Sequence, residues 1–343
     1  MASPGMAVNI DDPGLWLTHP SSQQISQLNY DGYVAPESFN LPVSDSPAPP
    51  TLTNFGQGDW VWQPVPDERS LFQDFSTQDD RRADYCLRVL RGYPETFVRQ
   101  GRSDFLHPRL YRDSSPKPIQ DAFCICSVYL TKNEANENMV YRIIDSKVNA
   151  LLENHSSWTY GVNLAAVQAL IFVQIIRLFD GNIRQRVLAE QLEVVLDLWT
   201  EQLRSRNVEE VPPMWSAHHV WAFVESARRT ILISYLLRGL YSLLKTGVCH
   251  LASSMRTLPL SPRKTLWDSQ PTDDWTFVSP QVAMDSTVTW EQFTASWQKG
   301  QVSNIGQFES LLLVVCRGLD ILEEFDSFRF NQSEVPSCSL WTT

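Results

Sequence analysis

From Ile183 to about Arg206, apolar and charged residues alternate with a helical period. Leu188, Leu192, Val195, Trp199 and Leu203 form one stripe, while Arg186, Glu190, Glu193, Asp197 and Glu201 fall on other faces. That division predicts an amphipathic surface helix. Just before it, Leu164 to Phe179 is apolar nearly all round, which places that helix in the middle of a bundle, with Asn163 as its expected cap and Gly181 as its stop. A third helix starts near Ser216, carries Val220, Val224, Ala227 and Ile231 at helical spacing, and turns almost wholly apolar from Ile231 to Leu244. Near its start Glu225 precedes Arg229 by one turn, the favourable order for an ion pair on a helix. Lys245 and Gly247, a cation in the last turn followed by a glycine, read as its end.

The flanking segments extend the same plan. Ser76 or Thr77 caps a helix whose first turn holds Asp79 and Asp80; it runs through Tyr85, Val89 and Leu90 and is expected to stop before Pro94. A loop with Pro108, Pro116 and Pro118 leads to helices at Ile119 to Leu130 and Met139 to Leu152. Pro212 and Pro213 break the chain before the helix at Ser216. After Gly247 a long irregular stretch reaches about Thr287, with Pro259, Pro262, Pro271 and Pro280 and with Trp267 and Trp275. Two helices, Thr289 to Lys299 and Phe308 to Phe325, close the domain; Leu312, Val315, Leu319 and Leu322 mark the inner face of the second. With no internal repeat and no strand set, the fold class is all-α, an irregular multi-helix bundle.

Residues 1–76 follow a different rule. Prolines from Pro13 to Pro66 interrupt every period, and the acids Asp11, Asp12, Asp31, Glu37, Asp45, Asp59, Asp67, Glu68 and Asp74 face a single Arg69. Trp16, Trp60, Trp62, Phe72 and Phe75 are interleaved with those acids. Acid mixed with bulky apolar side chains is the composition of disordered activation segments, and equally of a linker whose aromatics dock back on a folded domain. The organisation is thus a disordered acidic segment (1–76), a helical domain (77–327) and a flexible tail (328–343).

Composition narrows the function. The 343-residue chain carries 28 Lys and Arg against 39 Asp and Glu, a net charge of −11. That argues against an autonomous grip on a phosphate backbone, whose non-specific affinity is mostly electrostatic. Cys86, Cys124, Cys126, Cys249, Cys316 and Cys338 are scattered through apolar runs, so reduced thiols are expected rather than a disulfide framework. No cationic region followed by an apolar core opens the chain, so no signal peptide is expected. The runs at Leu164–Phe179 and Ile231–Leu244 are short or interrupted by Gln168, Gln174, Arg177 and Arg238; they are expected to be core helices, with no membrane partner.

Three separated blocks carry a resemblance. RRTILISYLLRGLYSLLKTGVC (Arg228–Cys249), LRGYPETFVRQGRSDFLHP (Leu90–Pro108), and TWEQFTASWQKG with FESLLLVVCRGLDILEE resemble the fungal-specific regulatory domain that follows the zinc-based DNA-binding module of many fungal transcription factors. The likeness spans roughly residues 80 to 325. It implies a nuclear regulator of transcription. Many members of that family control clustered genes of secondary metabolism, so a mycotoxin cluster is among the implied targets. The family's DNA-binding module needs close pairs of cysteines, because the metal demands four convergent ligands. Here Cys124 and Cys126 form the one close pair, and residues 1–80 contain no cysteine. The expectation is therefore action through other transcription factors or coactivators, with DNA reached indirectly and no cofactor, metal or catalytic residue.

Other readings stay open. Asp79, Asp80 and Asp84 superficially match the magnesium motif of all-helical terpene cyclases, but a second metal motif is missing and the acids suit a helix start without a metal. The chain also fits an incomplete gene product of a zinc-cluster factor. His218 and His219 point about 100° apart on a helix and are poorly placed to chelate one ion. Arg228 and Arg229 match the paired arginines of the family block, and are expected to bond Glu225 and helix-end carbonyls.

Overall fold

A computed structural model of the protein describes residues 80–112, 114–153, 158–180, 182–206, 216–261, 264–268, 287–302 and 305–319. These lie in the larger of two compact units, Asp59–Thr343. The expectations for the acidic segment 1–76, the tail 328–343, the cap at Ser76 or Thr77, the stop at Gly181 and the break at Pro212 and Pro213 fall outside the described residues. In chain order the helices are α1 (Asp80–Gln100), α2 (Lys117–Leu130), α3 (Glu137–Glu153), α4 (Tyr160–Phe179), α5 (Ile183–Ser205), α6 (Ala217–Thr246), α7 (Ala252–Arg256), α8 (Lys264–Asp268), α9 (Trp290–Gln298) and α10 (Gln307–Arg317). The fold is all-α, as the patterning requires.

Its centre is α4, which packs on α1, α2, α3, α5 and α6. Every residue from Asn163 to Leu178 is buried, the direct consequence of a helix with no polar face. By length and composition α4 is apolar enough to cross a membrane, but its surface is covered by its own neighbours. Fully burying each of Leu170, Ile171 and Phe172 contributes about 1.5–3 kcal/mol. The helix starts a turn earlier than Asn163. Thr159 is the N-cap, its hydroxyl accepting from the Val162 amide at 3.4 Å, while Tyr160 packs on Phe223 at 5.7 Å between ring centroids. Asn163 is a buried residue of the first turn.

Two other helix ends differ from expectation. Helix α1 continues through Pro94 to Gln100. A proline inside a helix costs about 3 kcal/mol, but Leu90, Tyr93 and Phe97 on either side are all buried, and docking that face offsets the missing hydrogen bond. Helix α10 ends at Arg317, short of Leu319 and Leu322, because Gly318 takes φ +86°; residues from 320 onward are outside the described set. Pro116 and Pro118, read from sequence as loop residues, sit at the N-cap and in the first turn of α2, where a missing N–H is harmless.

In α5 the buried arc is Gln185, Ala189, Leu192, Leu196, Trp199, Thr200 and Leu203. Leu188 and Val195, predicted to be inward, are only half-buried at its margin. The seam with α6 is polar at its edge. Tyr241 donates to Glu190 and Tyr235 to Glu201, Lys245 pairs with Glu190 at 2.9 Å, and Arg238 pairs with Asp197.

The long irregular stretch predicted after Gly247 contains more order than expected. It holds α7, α8 and a short antiparallel pair, β1 (Pro259–Leu260) with β2 (Val288–Thr289), in register Pro259 to Thr289 and Leu260 to Val288. Helix α9 then opens on a capping box between Thr289 and Gln292, and Trp290 Nε1 donates to the Leu312 carbonyl of α10 at 3.1 Å.

Helix α6 is framed by its local signals. Ser216 Oγ accepts from the His219 amide at 3.2 Å. Gly247 sits at φ +75° with its N–H on the Leu243 carbonyl at 2.8 Å. A Cβ at Gly247 would meet no neighbour, so the cost of Gly247→Ala is backbone strain alone, roughly 1–2 kcal/mol. Thermal denaturation followed by circular dichroism should show the midpoint lowered by about 2–8 °C with helix content unchanged.

Candidate functional site

One turn of α6 brings Glu225 and Arg229 onto the same face, and Arg229 Nε donates to Glu225 Oε1 at 3.1 Å. Both side chains are fully buried. The expected pairing is there, but the partners that complete it come from far along the chain. Arg229 donates to Glu309 Oε1 at 3.2 Å and to the Asp104 carbonyl at 3.3 Å. Its guanidinium lies between the rings of Trp267, at 4.0 Å, and Phe308, at 4.2 Å. A planar, weakly hydrated cation is suited to this position, since it can stack and donate in its plane at once.

The two carboxylates have further duties. Glu225 Oε1 also accepts from the Ser261 amide at 3.3 Å, and its Oε2 faces Arg228 at 3.4 Å. Glu309 Oε2 accepts from the Gly306 amide at 2.8 Å, capping α10. Two cations therefore meet two anions, as burial demands. The bond expected between the arginine pair and Glu225 is present; the carbonyl that Arg229 reaches belongs to the loop after α1 and not to a helix end.

A neutral network lies alongside. Gln168 of α4 donates to the Phe105 carbonyl at 3.0 Å and to Thr230 Oγ1 at 3.1 Å, and accepts from Tyr111 Oη at 2.7 Å. The loop Ser103–Pro108, the start of the apolar run in α6, and α10 thus converge on Arg229. These are the three blocks singled out in the sequence.

Asp104 and His107 flank the junction. Tyr93 Oη donates to Asp104 Oδ2 at 3.0 Å, and burial pushes the Asp104 carboxyl up to about 6. His107 Nδ1 accepts from the Arg109 amide at 3.3 Å, so Nε2 carries the proton and donates to the Trp267 carbonyl at 3.2 Å. Its ring stands edge-on to Trp267 at 4.9 Å and to His218 at 5.5 Å. Burial, then the neighbouring His218, hold His107 down at about 3; burial and Arg109 hold His218 at about 4. His218 and His219 diverge as adjacent helical positions must: His218 is turned into this cluster and His219 is half-buried.

Against this junction opens a cavity of about 440 Å³. Phe97, Leu106, His107 and Ile119 are its buried floor, Tyr111 is a half-buried wall, and Arg112, Ser115, Gln120 and Phe123 form an exposed rim. Nothing in the periodicity of the sequence announces it, because it is assembled from α1, α2 and the loop between them. Elsewhere, α5 leaves Ile183, Val187, Val194 and Leu198 between 49% and 75% exposed on one outer face.

The remaining candidates lie apart. Asp80 and Asp84 are exposed in the opening turns of α1; Asp79 is outside the described residues. Cys86, Cys126, Cys249 and Cys316 are buried thiols and Cys124 is a half-buried one, all five outside disulfides, while Cys338 is outside the described set. Among the described residues no group of three His, Cys, Asp or Glu side chains is placed to hold a metal ion.

The chain is similar to "Transcription factor gsfR2" of Penicillium aethiopicum, with 29% identity over 276 residues, covering 76% of this chain and 65% of that protein. This relative is a fungal transcription factor. The match spans just under two thirds of the relative's length. It points away from an enzyme. No family model matches the chain, and no solved structure matches it.

Removing one member of a buried ion pair strands the other, at a cost of about 3–5 kcal/mol. Arg229→Met should lose that much in urea unfolding, whereas the exposed Arg99→Met should change stability by less than about 1 kcal/mol. The pH dependence has a defined sign. His107 and His218, at about 3 and 4 in the folded chain against 6.5 unfolded, contribute stability that is present above about pH 6.5 and lost on acidification. Asp104, at about 6 folded against 3.8 unfolded, opposes them: its contribution is present below about pH 4 and lost as pH rises through 6. Asp104→Asn should therefore steepen the fall in stability between pH 6.5 and 4. Parallel curves for wild type and variant would contradict this assignment.

Proposed function

We propose that the chain is a transcription regulator of fungal genes, acting in the nucleus through contacts with other transcription factors or coactivators, with DNA reached through such a partner. The observation that carries the reading is the likeness to a fungal transcription factor over 276 residues. The resemblance of the three blocks to the fungal-specific regulatory domain supports the finer assignment. Their convergence on Arg229 gives those blocks a physical reason to occur together, since each supplies part of one buried junction. That family's frequent control of secondary-metabolite gene clusters makes a mycotoxin cluster the favoured target.

Protein contact is also the use best suited to the surface. Ile183, Val187, Val194 and Leu198 form an apolar stripe on α5, and two acids near it, Glu190 and Asp197, are already engaged by α6. A stripe of this kind is a natural seat for an amphipathic helix of a partner. In the acidic segment 1–76, Trp60 and Trp62 beside Asp59, and Phe72 and Phe75 beside Asp74, have the composition of a recruiting segment.

Two measurements test the proposal. Residues 1–76 fused to a foreign DNA-binding domain should activate a reporter, and replacing Trp60, Trp62, Phe72 and Phe75 by alanine should remove most of that output. In the full chain fused in the same way, Val194→Glu with Leu198→Glu should reduce reporter output while leaving stability within about 1 kcal/mol of wild type, because both positions are exposed. Silence of every fragment would refute the regulatory reading.

A further inference from the structure

We propose that the cavity between α1, α2 and the loop joining them is a binding site for a small aromatic carboxylate. Its size, about 440 Å³, is within the range of small-molecule sites.

The polar groups at the bottom are already occupied. His107 spends both ring nitrogens on the Arg109 amide and the Trp267 carbonyl. The Tyr111 hydroxyl is turned away to Gln168, so its ring is what faces the cavity. A ligand reaching the floor therefore meets carbon, and largely ring carbon. Phe97 is held by parallel stacking on Phe172, at 4.7 Å and 13°. Phe123 meets Phe97 edge-on at 5.5 Å and 86°, yet remains 44% exposed. Fixed rings set at right angles favour a flat guest that can stack on one and meet the edge of the other.

The rim supplies a charge. Among the described residues Arg112 takes part in no ion pair, while nearby cations are engaged: Lys117 with Asp121 and Arg99 with Glu95, at 2.7 Å for the latter. Asp121 is held by Lys147 as well. In a chain of net charge −11, the stretch from Arg99 to Lys117 is locally basic, with Arg99, Arg102, Arg109, Arg112 and Lys117 against Asp104 and Asp113. Of those acids, Asp104 points to Tyr93. An exposed guanidinium above an aromatic floor calls for an anion on a ring, and the fork of Arg suits a carboxylate.

The site also has a route to the core. His107 bonds to the Trp267 carbonyl, and the Trp267 ring stacks on Arg229. A guest that packs on Leu106 and His107 stiffens the loop that the buried arginine depends on. The proposal goes beyond the regulatory reading and does not rest on it, since binding is measured on the purified chain.

The experiment is calorimetric titration of the intact chain with 2-naphthoate, with neutral 2-naphthalenemethanol, and with octanoate. The proposal expects saturable one-site binding of naphthoate, weaker binding of the alcohol and weaker binding of octanoate. Arg112→Gln should weaken naphthoate by about tenfold, the scale of one charge-assisted hydrogen bond, and leave the neutral alcohol nearly unchanged. Ser115→Trp, placed at the exposed rim so that folding is undisturbed, should abolish both. Thermal melts of each variant establish that it is folded. No saturable binding of naphthoate, equal binding of acid and alcohol, equal binding of octanoate, or indifference to both substitutions overturns the proposal.

Discussion

The structure depends on a cation placed where water cannot reach it. A guanidinium buried between two aromatic rings is stable only if every donor finds an acceptor, and Arg229 finds Glu225, Glu309 and the Asp104 carbonyl. Desolvating such groups is expensive, and replacing them by apolar residues is often no worse for stability. What the arrangement does provide is direction. A methionine at position 229 would pack against anything apolar, whereas an arginine accepts one set of neighbours. The loop after α1, helix α6, the Trp267 helix α8 and the last described helix α10 are thereby held in one relation.

Around that point the hydrophobic effect does the bulk of the work. Helix α4 is buried along nearly its whole length, and five helices cover it. Helix α6 then divides its length between two tasks. Its first half carries the ionic junction, and its second half, from Ile231 to Leu243, is core against α4 and α5. The periphery is tied down by tyrosines and lysines that reach acids on α5, and by the Asp180 carboxylate that Tyr129, Tyr141 and Lys132 share.

Much of this was legible in the chain because the signals were local. The ends of α6, at Ser216 and Gly247, and the Glu225–Arg229 pair are set by residues within a turn of each other, and the uniform apolarity of α4 led directly to its central place. What could not be read was what depends on distant partners. Glu309 looks like an ordinary first-turn acid until Arg229 arrives from 80 residues away. Pro94 reads as a stop, yet its flanking residues dock too well for the helix to end there. The inward arc of α5 was displaced from its most apolar stripe because the facing surface of α4 and α6, absent from any local window, decides which arc is covered. The cavity was invisible for the same reason, being built from two helices and a loop with no period in common.

The double duty of Glu309 has a consequence in time. One of its oxygens completes the coordination of Arg229 and the other starts α10. Because 80 residues separate the two partners, a ribosome adding 5–20 residues per second leaves the arginine without its second carboxylate for about 4–16 s. During that interval Glu225 is the one carboxylate available to Arg229 and Arg228 together. The described body of the domain is thus closed by its last described helix, and a translation product cut short before Glu309 would remain open for chaperones and proteases to find.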